Sequence, residues 1–171
     1  VFKLTPRQGG WTETVLHSFD RDGTDGILPQ GGVVFDASGN LYGTTNAGGT
    51  YTDGTVFELT PAQVGGWTEK VLHSFNLDGT DGALPAAGPI FDAHGNLYGT
   101  TNGGGTYILG TVFELTRTEG GNWTEKVLHS FGNGTDGASP CAGVIFNGGN
   151  LYGTTTSGGT HNQGTVFEFQ P

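Results

Sequence analysis

The chain has 171 residues, 34 of them Gly and 7 Pro, with 33% hydrophobic and 13% charged residues. Each internal Gly costs a helix about 1 kcal/mol relative to Ala, so this composition excludes long helices and points to an all-β domain. Asp and Glu number 16 against 6 Lys and Arg, a formal net charge of −10, which excludes the basic footprint that nucleic acid requires.

The segments then follow in chain order. Residues 1–4 (V-F-K-L) and 11–19 (W-T-E-T-V-L-H-S-F) read as two strands, called C and D, split by a Gly-Gly turn. Residues 20–26 (D-R-D-G-T-D-G) are a loop, followed by a short apolar strand A at V-V-F-D and a strand B at L-Y-G-T-T. Between A and B, D-A-S-G-N supplies turn-forming residues, so the two form a hairpin. A Gly-rich loop at residues 46–54 leads to G-T-V-F-E-L, a second C, and W-T-E-K-V-L-H-S-F, a second D. The order then repeats: Trp11, Trp67 and Trp123 are 56 residues apart, and Tyr42, Tyr98 and Tyr152 are 56 and 54 apart. Repeat units span 1–55, 56–111 and 112–165, with a closing strand over 166–171, in a single domain. The chain opens at Val1 without Met or a signal-like stretch, as expected of a processed form or a piece of a longer chain. No apolar run reaches the ~18 residues of a spanning helix, so the chain is not expected to span a membrane. The single cysteine, Cys141, excludes an internal disulfide framework.

Four antiparallel strands per unit, rich in Gly and aromatics, predict β-propeller blades of about 55 residues. Three units predict a small three-bladed ring, half of a six-bladed ring shared by a homodimer, or part of a longer array. The N-terminal D strand is expected to complete the last blade. The strings G-N-L-Y-G-T-T, G-G-T and G-T-V-F-E-L, with D-G-x-x-P ahead of strand A, resemble the GloVer tandem repeats of secreted or surface-anchored bacterial proteins. The A/B hairpin is also similar to NHL-type and two-component-regulator propeller repeats. The resemblance implies an extracellular or cell-surface, propeller-like protein and brings no catalytic residues with it.

In an up-and-down blade the D–A and B–C loops share one face, and acids and amides converge there. Asp20, Asp22 and Asp25, in D-x-D-G-x-D, space hard oxygen ligands around a Gly as a calcium loop does. The competing reading is that Asp25, Asp81 and Asp136 accept nearby backbone N–H groups in Asp-Gly turns. No cofactor is expected apart from that calcium alternative. The loops differ most between copies at Asn46, Asn102 and Thr156, at Tyr51, Tyr107 and His161, and at Asp53, Leu109 and Gln163. Polar variation on a rigid β scaffold is where ligand contacts usually sit. Asp22, Asp78, Asp136, Asn46, Asn102, Tyr51, Tyr107 and His161 are therefore the candidate ligand-binding residues.

Three functions fit. A binding module would present this face to a glycan or another cell-surface ligand. A glycoside hydrolase needs two carboxyl groups at ~5–5.5 Å or ~6.5–9.5 Å, and Asp53, Asp25 and Asp81 are its candidates, Asp53 because only one copy carries it. A structural or adhesion spacer needs no ligand. Glu13 and His17 lie about 13 Å apart along one strand, too far to form a dyad. His17, His73 and His129 are expected to pack between blades, and Glu58, Glu114 and Glu168 to face solvent.

Overall fold

The computed structural model describes residues 1–171 and contains β-strands without helices. The chain starts with β1 (Phe2–Arg7) and β2 (Gly10–Val15), an antiparallel hairpin. The first full unit contributes β3 (Gly26–Ile27), β4 (Val34–Phe35), β5 (Leu41–Thr45), β6 (Ala47–Gly48), β7 (Thr55–Pro61) and β8 (Trp67–Ser74). The second contributes β9 (Gly82–Ala83), β10 (Ile90–Phe91), β11 (Leu97–Thr101), β12 (Gly103–Gly104), β13 (Thr111–Arg117) and β14 (Trp123–Ser130). The last contributes β15 (Gly137–Ala138), β16 (Ile145–Asn147), β17 (Asn150–Thr154), β18 (Ser157–Gly158) and β19 (Val166–Phe169). Two four-stranded antiparallel meanders result, β4-β5-β7-β8 and β10-β11-β13-β14, followed by a three-stranded sheet β16-β17-β19. The predicted A–D order is therefore present in both full units, and the 166–171 segment is the third strand of the last sheet.

Local chemistry explains each piece. In the A/B hairpin, Asp36 accepts hydrogen bonds from the backbone N–H of Ser38 and of Asn40, both at 2.9 Å, which closes the turn. Asp92 repeats this with His94 and Asn96. In the last unit Gly148 and Gly149, at φ 60° and 88°, make the two-residue turn instead. The double threonine of L-Y-G-T-T is half of a buried pair: Thr45 and Thr55 hydroxyls lie 2.8 Å apart, as do Thr101 and Thr111.

The sheets stack face to face in sequence order, and three apolar clusters fill the gaps. Leu41, Phe57 and Leu59 pack against Val1, Leu16 and Phe19 of the N-terminal hairpin region. Tyr42, Val56 and Phe75 meet Leu97, Phe113 and Leu115 of the next unit. Tyr98, Val112 and Phe131 meet Val144 and Leu151 of the last. Alternation along a strand sorts these residues: Val56 faces the following unit while Phe57 and Leu59 face the preceding one. Backbone bonds add to the joints, from Leu84 N–H to Asp53 C=O at 2.8 Å and from Ser139 N–H to Leu109 C=O at 2.7 Å.

Two expectations are corrected. The N-terminal D strand does not complete the last blade: β2 pairs with β1 alone, and β19 is left at a sheet edge. Nor does Glu58 face solvent, since it is 6% exposed and accepts a 2.7 Å hydrogen bond from the Tyr42 hydroxyl. The expectation overlooked that β7 is central in its sheet and covered on both faces, whereas Glu168 on the edge strand β19 is exposed.

Candidate functional site

Between the segment that follows the N-terminal hairpin (residues 17–25) and strand β8 lies an open cleft of about 870 Å³. Its walls combine the first D–A loop (Asp20, Asp22, Asp25), the following B–C loop (Thr50, Tyr51) and strand β8 with Glu69 and Ser74. The predicted convergence of these two loop types is present here.

Asp22 organises the loop. Its Oδ1 accepts the N–H of Thr24 at 2.8 Å, the Thr24 hydroxyl at 2.9 Å and the N–H of Asp25 at 2.9 Å. Bonds from the Asp25 and Thr24 N–H groups and then the Thr24 hydroxyl hold its carboxyl below the usual carboxylate range. Asp20 accepts the Asp22 N–H at 2.8 Å. Asp78 plays the Asp22 part in the second loop, with Thr80 and the Asp81 N–H. The acids that were candidate calcium ligands are thus engaged in turns, Asp25 Oδ2 accepting the Asp20 N–H at 3.1 Å.

Asp25, Asp81 and Asp136 do more than close Asp-Gly turns. Asp25 Oδ2 lies 3.1 Å from His17 Nε2, Asp81 Oδ2 2.9 Å from His73 Nε2, and Asp136 Oδ2 2.8 Å from His129 Nε2. The imidazoles also stand edge-on to Phe19, Phe75 and Phe131, at 4.6–4.8 Å between ring centroids. Each imidazole is thus held by the phenylalanine two residues along its own strand and by a carboxylate from the D–A loop.

Sequence reasoning missed the third member. Glu69 reaches the Asp25 site from the next unit, and Glu125 reaches the Asp81 site from the one after. Burial, then the charges of Asp25 and Asp22, push the Glu69 carboxyl up to about 7; burial and Asp81 do the same to Glu125. Glu69 Oε1, Glu125 Oε1 and Asp25 Oδ1 are buried without a hydrogen-bond partner. The available signal was the W-T-E triplet in every D strand, whose Glu shares a side with the inward Trp and Val.

The other candidates divide. Tyr51 and Tyr107 are half exposed, and His161 is exposed on its loop. Asn46 instead donates to Pro85 C=O at 3.2 Å and Asn102 to Cys141 Sγ at 2.9 Å, so both act as ties between units. Asp53 accepts the Leu77 N–H at 3.1 Å, another such tie. Asp136 is held by His129 and by the Gly137 N–H at 2.8 Å. On the opposite side, a second cleft of about 410 Å³ lies between the hairpin turns, lined by Phe35, Tyr42, Arg117 and Trp123.

The model of the Gloeobacter/Verrucomicrobia repeat matches residues 1–171. No curated protein and no solved structure matches the chain.

Proposed function

The chain belongs to the Gloeobacter/Verrucomicrobia repeat family, and from that premise we propose that it is an extracellular or cell-surface glycan-binding module, built as a β-propeller-like array. The observation that carries the reading is the first cleft, where Asp20, Asp22, Thr50 and the half-exposed Tyr51 ring face one space. Carboxylates and hydroxyls receive sugar hydroxyls there, while the tyrosine ring covers a sugar C–H face. Asp22 is ionised and fixed in position by three donors, so it meets a sugar without first being ordered.

The propeller reading is supported by the inner edge of the stack. A Cβ on Gly31 would meet the Gly88 backbone nitrogen at 2.2 Å, and one on Gly143 would meet the Gly88 carbonyl at 3.3 Å. Neighbouring units therefore approach most closely ahead of strand A, as blades do near an axis. A ring or longer array would be completed by a second copy of the chain, as in the homodimer expected from the three-unit count.

The test is titration of a panel of soluble oligosaccharides, followed by NMR of the backbone amides of Asp22, Thr24 and Thr50. Saturable shifts at those amides, weakened at least tenfold in Tyr51→Ala and Asp22→Asn, are expected. An absence of shifts across the panel removes the reading. One observation favours hydrolysis as a second reading: a carboxyl with a pKa near 7, Glu69, beside a second carboxyl, Asp25, the pairing a general acid requires. Released reducing sugar that disappears in Glu69→Gln would put the hydrolase first.

A further inference from the structure

The His-Asp-Glu constellation recurs at both joints between a D–A loop and the following D strand, and one instance is tight. A ring nitrogen of His73, a carboxylate oxygen of Asp81 and one of Glu125 lie within 4.8 Å of one another. His73 lies on β8 of the first full unit, Glu125 on β14 of the second, and Asp81 in the loop that joins the two, so the cluster straddles their joint.

We propose that His73, Asp81 and Glu125 form a binding site for one zinc-class divalent cation that clamps the two units together. Three arguments carry it. First, the donor set is one imidazole nitrogen with two carboxylate oxygens, which suits zinc and its first-row neighbours; calcium takes oxygen ligands. Second, Glu125 Oε1 is buried and unpartnered, and the carboxylate of Asp81 stands opposite it. A cation there satisfies the orphaned oxygen and the like charges together. Third, the ligands are already positioned. Asp81 accepts the Asn76 N–H at 3.0 Å on Oδ2 and the Gly82 N–H at 2.6 Å on Oδ1. His73 is fixed edge-on to Phe75, and Glu125 is fixed on strand β14.

Three protein ligands leave at least one coordination position for water or an exogenous group. The calcium loop expected at Asp20, Asp22 and Asp25 is a different set of residues with different chemistry. The third joint supplies an internal control, because His129 and Asp136 form the same pair but no third side chain completes a three-ligand cluster with them.

Equilibrium dialysis and calorimetry with zinc chloride, and the visible spectrum of the cobalt(II)-loaded protein, test the site. Saturable binding of one ion per chain is expected, with a cobalt spectrum of low-symmetry, four- or five-coordinate type. Glu125→Gln should lower affinity at least tenfold. This variant removes a half-buried carboxylate while keeping its shape, so it should fold at least as well as the parent, and circular dichroism checks that it does. His129→Gln, which removes the incomplete pair, should leave the affinity unchanged. Binding that survives Glu125→Gln, binding lost in His161→Ala or Cys141→Ser instead, or no saturable binding by a folded chain would each overturn the proposal.

Discussion

Glu69 shows how one side chain records the cost of a joint. Its carboxyl titrates near 7 in the folded chain against 4.5 when free, because burial and the charges of Asp25 and Asp22 disfavour its ionised form. The folded state therefore holds more protons than the unfolded chain between those two values. Stability from this group is full below pH 4.5 and is lost as pH rises through 7. The group is half-exposed, so screening reduces the effect to about 1 kcal/mol, which in a chain of this size is roughly 2–4 °C. With EDTA present, Tm measured by calorimetry should be higher at pH 5 than at pH 8. The difference should shrink in Glu69→Gln, which stays neutral. The net charge of −10 acts in the same direction through general repulsion, and the variant separates the two contributions. Glu125, raised likewise, keeps its own share, so an unchanged difference in Glu69→Gln would remove Glu69 as a contributor.

Strand B shows how an element is shaped by what lies over it. In β11 the middle residue is Gly99, and a Cβ there would meet Phe113 Cζ at 2.5 Å and Cε1 at 2.8 Å. Phe113 is fully buried and packs edge-on to Phe75 at 5.2 Å, so its ring cannot retreat without opening the joint. Gly99→Ala should cost about 1–3 kcal/mol by overpacking and lower Tm by roughly 3–10 °C. Pairing it with Phe113→Leu, which clears the space, should recover part of that loss; a double variant as unstable as the sum of the singles would refute this account. Much of the element layout was legible beforehand. Asp36 to Asn40 between two β-rich runs gives the hairpin, and the 56-residue spacing of the tryptophans gives the meander. The short pairs β3-β6, β9-β12 and β15-β18 were not legible, because each is only two residues long and begins at a Gly or lies beside one. Glu69 and Glu125 escaped notice for another reason. Period-two alternation tells which side of its own strand a residue occupies, but it does not tell which loop of another unit faces that side.

At the scale of the whole molecule, the two end faces carry residues whose counterparts pack into the apolar clusters at the internal joints. Phe91 packs edge-on to Tyr42 of the preceding unit at 5.0 Å, and Phe146 to Tyr98 at 5.2 Å. Phe35, the corresponding residue of the first full unit, has no such partner and is 65% exposed. Phe2, Leu4 and Trp11 share this condition at 60%, 50% and 63%. At the other end Val166 corresponds to the buried Val56 and Val112 and is 81% exposed, beside Ile145 at 66%. Each face thus lacks what the other offers, so a contact between copies would be heterologous, head to tail, rather than self-complementary. Native mass spectrometry and sedimentation should show association that grows with concentration. Phe35→Asp disables one face and Val166→Asp the other, so either variant alone should be monomeric. An equimolar mixture should recover a dimer and stop there, because one disabled face remains at each of its ends. A symmetric contact would instead leave at least one single variant dimeric, and the mixture would gain nothing. That outcome, or a parent chain that stays monomeric at high concentration, would exclude head-to-tail completion of the array.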